Sequence, residues 1–144
     1  MCKANVEYDC RQLSYRSGVI GAMKKLPDAE FDIMKVVWAN KPPITTNIIM
    51  QQLGNERGWK AQTVISLMLR LVERGFIRTE KNGRELNYFP LISKEDYLKF
   101  ETGDFMERFH ANSFVSLVAT LYAGNKLKDN DLDQLAKWLK EKRD

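Results

Sequence analysis

The sequence predicts a mainly α-helical chain with a single small β-hairpin, and three observations carry that prediction. Apolar residues recur on a 3.6-residue period through residues 28–74, the mark of helices with one buried side. Around Asn82-Gly83 the period changes to two, the mark of paired strands. From Ser93 the helical period returns in three further segments.

Composition sets the outer limits. The 144 residues, 44% hydrophobic and 29% charged, suit one domain of ordinary size or a small domain with an accessory segment. Net charge is +4, and its placement says more than its size. Residues 24–92 hold 11 Lys+Arg against 7 Asp+Glu, whereas residues 93–144 hold 9 against 10. A basic excess confined to the middle of the chain is the electrostatic footprint of a polyanion partner. Cys2 and Cys10 form no disulfide framework, and with His110 as the lone histidine they form no metal-binding pattern, so neither metal nor cofactor is expected. No apolar run has the roughly 20 residues of a membrane span, and the N-terminus lacks a signal-peptide core, so a cytoplasmic protein is expected.

Residues 1–23 show no period and read as a poorly ordered extension. The first helix is expected from Asp28 as cap, with Glu30 and Asp32 placing negative charge at its positive end. Phe31, Met34, Val37 and Trp38 form its apolar stripe, and Pro42-Pro43 stop it. A short second helix follows, with Thr45 as cap and Ile44 and Ile49 in the positions of a hydrophobic staple. Gly54 is expected to end it, and Asn55-Glu56-Arg57-Gly58 to connect onward.

The third helix spans about residues 60–74 and has two unlike faces. Val64, Leu67, Met68 and Leu71 line one side at i, i+3, i+4, i+7. Gln62, Thr63, Ser66 and Arg70 lie on the other, with Ile65 and Leu69 at its border. Gln can bridge adenine N6 and N7, Thr can meet a thymine methyl, and Arg can take guanine or a phosphate. This is the pattern of a DNA recognition helix. Phe76–Lys81 and Arg84–Phe89 then flank Asn82-Gly83, which predicts a hairpin with a two-residue type I′ turn. In that register Thr79 faces Leu86, Ile77 faces Tyr88, Arg78 faces Asn87 and Phe76 faces Phe89. Arg78, Lys81 and Arg84 are placed to reach phosphates or the minor groove. With Thr46 and Lys60 they complete the expected DNA-binding set. Residues 24–92 thus read as a winged helix–turn–helix.

Residues 93–144 read as a helical dimerisation module. Ser93 and Asp96 resemble a capping box for a helix carrying Tyr97, Phe100, Phe105 and Phe109. Phe114, Leu117, Val118 and Leu121 stripe a second helix, and Gly124-Asn125 break the chain. Asp129 to Asp133 open a third, with Leu132, Leu135, Trp138 and Leu139 apolar. A partner chain is the economical cover for so many aromatic and aliphatic side chains. Two recognition helices about one DNA turn apart would then read a palindrome.

Several stretches resemble the penicillinase-repressor family: Leu26–Trp38 with its AE-x3-M-x3-W pattern, Trp59–Val64, Arg70–Ile77 and Tyr88. These are bacterial repressors of β-lactamase and methicillin-resistance genes, together with copper-responsive relatives. The resemblance covers about residues 24–140 and implies a winged-helix dimer on a palindromic operator of TACA/TGTA type, with Thr63 and its neighbours in the major groove. Members often carry Ser where this chain has Lys60, and a polar or basic residue where it has Ile65. In the antibiotic-sensing branch a sensor protease cuts an Asn-Phe bond, and the matching pair here is Asp104-Phe105. The copper branch ends in a cysteine-rich tail, whereas this chain has no cysteine after residue 10.

The favoured reading is a dimeric transcriptional repressor whose partners are double-stranded palindromic DNA and a second copy of itself. The alternative is a winged helix used for protein–protein contact, with the basic hairpin docking an acidic partner. Gln62, Thr63, Ser66 and Arg70 suit base edges better than a protein groove. No nucleophile–base pair, carboxylate pair or phosphate loop points to an enzyme.

Overall fold

A computed structural model describes residues 23–144. Cys2, Cys10 and the expected extension lie outside the described residues, apart from Met23, which is buried. The chain divides into two compact units, the first ending at Phe100 and the second beginning at Glu101.

Helix α1 spans Asp28–Ala39 and buries Ile33, Met34 and Val37. Its first bond runs from Phe31 N–H to the Pro27 carbonyl at 2.9 Å, so Pro27 rather than Asp28 occupies the cap position. Asp28 becomes the first helical residue, where its charge still faces the positive end. Trp38 is half-buried and its Nε1 donates to the Ile92 carbonyl at 2.9 Å.

Helix α2 comprises Thr46–Ile49, a π-helical turn at Met50–Gly54, and Asn55–Arg57. Thr45 caps it as expected, its Oγ1 accepting from Ile48 N–H at 3.2 Å, and both Ile44 and Ile49 are buried. Gly54 does not end the helix. Its backbone is helical, and a Cβ there would lie 2.6 Å from Met50 Sδ and 3.4 Å from Val64 Cγ2, so the missing side chain serves close packing against the next helix. The terminator is Gly58, whose φ of +70° suits glycine alone at little cost.

Helix α3 spans Ala61–Glu73, followed by β1 (Ile77–Asn82) and β2 (Glu85–Pro90), which pair antiparallel. The observed register sets Asn82 opposite Glu85, Thr79 opposite Tyr88 and Arg78 opposite Phe89. The turn residues are therefore Gly83 and Arg84, with positive φ at Gly83 (+64°) and not at Arg84, a type II′ rather than type I′ pattern. Relative to the expected pairing the strands are displaced by two residues. An even displacement leaves every side chain on its expected face. On its other edge β2 meets Ile44, which exchanges backbone hydrogen bonds with Tyr88 at 2.8 and 2.9 Å, an isolated bridge the sequence did not announce.

Helix α4 spans Lys94–His110 and opens on Ser93, whose Oγ accepts from Asp96 N–H at 3.0 Å. Its first turns pack into the first unit. Tyr97, expected at a dimer surface, is buried there instead. Its hydroxyl accepts from Leu26 N–H at 2.8 Å, and its ring lies within 6.0 Å, centroid to centroid, of Phe31, Trp38, Phe76 and Phe100. An aromatic ring so enclosed has no face left for a second chain.

The second unit holds the rest of α4, then α5 (Phe114–Ala123) and α6 (Asp129–Arg143). Ser113 caps α5 by accepting from Ser116 N–H at 3.1 Å. Asn125 supplies a left-handed break, with φ +61°. Lys128, not an aspartate, takes the cap position of α6, and the Asp131 carboxylate accepts from its N–H at 2.9 Å. No residue from 101 to 144 is fully buried.

Candidate nucleic-acid interface

The two faces of α3 separate as the period requires. Val64, Met68 and Leu71 are fully buried, while Gln62, Thr63, Ser66 and Arg70 are all exposed. Lys60 holds the extended cap position and its side chain makes no capping bond, so no side chain closes the positive end of the helix. That leaves the first turn open to an anionic acceptor.

Two acids of α1 hold this helix–turn–helix in place. Asp32 pairs with Lys35 on its own helix at 2.9 Å and with Arg57 at the end of α2. The Lys35 ammonium and the Arg57 guanidinium hold the Asp32 carboxyl below its ordinary value, against the opposing push of partial burial. Glu30, only 1% exposed, accepts from Arg74 Nε at 2.7 Å just beyond α3. Reciprocal amide bonds of 2.9 Å join Asn40 to Gln52. One helix thus braces both of the others.

The wing brings its cations into two different situations. Lys81 and Arg84 are exposed, and among the described residues neither has a carboxylate partner. Arg78 is engaged within the hairpin. It pairs with Glu80, and its guanidinium lies over the Phe89 ring at 4.3 Å. In the free protein Arg78 is therefore held within the hairpin, unlike Lys81 and Arg84. Phe89 sits opposite Arg78 across the two strands, so the register that places Arg84 at the tip also creates this stacking.

A cleft of about 420 Å³ lies between these elements, lined among others by Thr46, Ala61, Ile65, Arg84 and Leu86. It gathers Thr46 and Arg84 beside the start of α3. Ile65 is half-buried and faces into this cleft rather than outward. Sequence reasoning takes Glu30 only as a helix-start acid, although its spacing from Ile33, Met34 and Val37 puts it in line with the buried stripe. A charge on a core stripe signals a buried partner.

In the second unit the expected interface residues lie open or half-open. Phe105, Phe109, Phe114, Trp138 and Leu139 are exposed, and Leu117, Val118, Leu121, Leu132 and Leu135 are half-buried. Phe105 stacks near Phe109 with centroids 5.0 Å apart, and His110 Nδ1 lies 2.9 Å from Ser116 Oγ. Asp104 sits within the helix, 3.3 Å from Arg108. Among the described residues no helix is long and apolar enough to cross a membrane, and no acidic, His or Cys cluster could hold a metal ion.

A family model described as penicillinase repressor matches residues 26–141. The chain is 31% identical to the penicillinase repressor of Bacillus licheniformis, an alignment covering 83% of this chain and 94% of the relative. It is 26% identical to the methicillin resistance regulatory protein MecI of Staphylococcus aureus (strain N315), over 82% of this chain and 95% of that one. Among solved structures it is similar to the DNA-binding domain of the repressor BlaI, at 36% identity and a TM-score of 0.45, covering 52% of this chain and 94% of that chain. A second is the Bacillus licheniformis BlaI monomeric form in complex with the blaP half-operator, at 33% identity and a TM-score of 0.45, covering 52% of this chain and 90% of that chain.

Proposed function

The chain belongs to the penicillinase repressor family and is a transcriptional repressor of that kind, and from this premise we propose that it holds a palindromic operator as a homodimer in the cytoplasm. Each copy sets α3 into the major groove and the β1–β2 wing against the flanking backbone. The observation that carries this is the exposed face of Gln62, Thr63, Ser66 and Arg70 on a helix whose opposite side buries Val64, Met68 and Leu71 completely and Leu67 in part. Lys60, Lys81 and Arg84 add positive charge around it, and Thr46 lies on the same cleft as Arg84. The family relation, which runs through nearly the whole length of the Bacillus licheniformis repressor, supports the same class of partner here. The open aromatic side chains of residues 105–139 support self-association as the use of the second unit.

The test is to select bound duplex from a random DNA pool and compare it with unselected duplex at one salt concentration. A palindrome with half-sites about 34–36 Å apart and bound far more tightly is expected. Equal binding of both duplexes would leave the hairpin as a general polyanion contact and overturn the reading.

Relief of repression by a sensor protease is proposed at the Asp104–Phe105 bond, on the resemblance already described. The bond lies inside α4 with Asp104 beside Arg108, so a cut there requires local opening of the helix. Incubation with a matching protease, followed by intact mass, should yield a break after residue 104. An uncut chain removes this route.

A further inference from the structure

Within the outward face of α3 one side chain does not belong with its polar neighbours. Leu69 is 48% exposed. It stands seven residues after Gln62 and three after Ser66, hence on the same stripe. An isolated exposed leucine on an ordinary surface calls for no explanation. Here it lies on the face that would enter the groove, about 10 Å along the axis from Gln62 at 1.5 Å per residue. That distance is about three base-pair steps at 3.4 Å each. The other border aliphatic, Ile65, is half-buried and lines the cleft with Ala61 and Leu86, so it is less open than Leu69.

We propose that Leu69 is a specificity-determining residue that packs on the C5-methyl group of a thymine, about three steps along the groove from the base met by Gln62. This rests on the DNA-binding reading above. In the major groove thymine is the one standard base that presents a methyl, so an aliphatic side chain there distinguishes it by burial rather than by hydrogen bonding. Removing the methyl forfeits the burial of about one carbon, which corresponds to a three- to fivefold loss of affinity.

The experiment uses the full chain and the duplex it selects from a random pool. Each thymidine is replaced in turn by deoxyuridine, which lacks the methyl and keeps the pairing and groove hydrogen bonds. The expected result is a three- to fivefold weaker complex at one thymine per half-site, and no such loss at that position for Leu69→Ala. Because Leu69 is outside the core, thermal unfolding of Leu69→Ala should match the parent protein. If the selected duplex binds but no deoxyuridine weakens it, the methyl contact is wrong while DNA binding stands. If the deoxyuridine effect persists undiminished in Leu69→Ala, another side chain such as Thr63 reads that methyl and the assignment fails. If the pool yields no preferred duplex at all, the DNA-binding reading falls and this assignment falls with it.

Discussion

Glu30 and Arg74 are 44 residues apart in sequence and 2.7 Å apart in the fold, the acid fully enclosed and the base partly open to solvent. The pair joins the first turn of α1 to the residue that closes α3. Its geometry sets how the recognition face is presented, although neither side chain lies on that face. Arg74→Ala leaves a carboxylate buried without its partner and should cost about 2–4 kcal/mol, reduced from the roughly 3–5 of a fully buried pair because Arg74 remains partly hydrated. Adding Glu30→Met should recover most of that loss in urea denaturation. If the double variant is no more stable than Arg74→Ala alone, the unpaired charge is not the cause.

Tyr88 supplies a prediction of opposite sign. Its hydroxyl is buried and has no hydrogen-bond partner among the described residues. Tyr88→Phe removes an unsatisfied polar group with little change of shape, so stability should rise by about 1 kcal/mol. A fall of similar size in urea denaturation would mean that the hydroxyl is satisfied in solution.

The wing cations should separate by role. Lys81→Ala and Arg84→Ala are expected to weaken binding to every duplex and to reduce the slope of log affinity against log salt by about 0.9 for each phosphate that is no longer neutralised. Arg78→Ala should leave that slope nearly unchanged and instead loosen the hairpin, since its guanidinium is held by Glu80 and the Phe89 ring. Gln62→Ala should relax base preference by about 1–3 kcal/mol without altering the slope. Fluorescence anisotropy across a salt series would distinguish the three patterns.

Asp32 ties stability to pH. In the folded chain it gives up its proton more readily than in the unfolded chain, because Lys35 and Arg57 stabilise the carboxylate. The contribution is therefore complete at neutral pH and disappears as pH falls below its ordinary value of 3.8. Asp32→Asn should be less stable than the parent at pH 7, with the gap narrowing at pH values below 3.8 as the carboxylate takes up its proton. A gap that stays constant between those pH values would contradict the ion pairing.

Phe109, 62% exposed, tests the second unit. Phe109→Glu should shift sedimentation equilibrium from dimer toward monomer and weaken operator binding, while the unfolding of residues 23–100 is unchanged. A dimer of undiminished affinity would place the interface elsewhere.

Much of the fold is legible in the primary structure because helices with one buried side announce themselves by period. The division of α3 into Val64, Met68 and Leu71 against Gln62, Thr63, Ser66 and Arg70 follows directly from it. What period cannot show is the neighbour. Glu30 reads as an acid suited to a helix start until Arg74 is seen beside it. Gly54 reads as a stop until Met50 and Val64 are found pressed against it. The hairpin register depends on whether Asn82 or Arg84 shares the turn with Gly83, and the edge contact of Tyr88 with Ile44 is remote from that choice in sequence. Tyr97 reads as an interface residue by the company it keeps along α4, whereas the first turns of that helix, through Phe100, belong to the first unit.

The hydrogen bond from Leu26 to Tyr97 joins the two extremities of the winged helix, 71 residues apart. An excised DNA-binding fragment stopped at residue 92 would lose that fastening and the ring that fills the space between Phe31, Trp38 and Phe76. One carried through Phe100 keeps both, so the minimal autonomous fragment ends two turns inside a helix rather than at the loop before it.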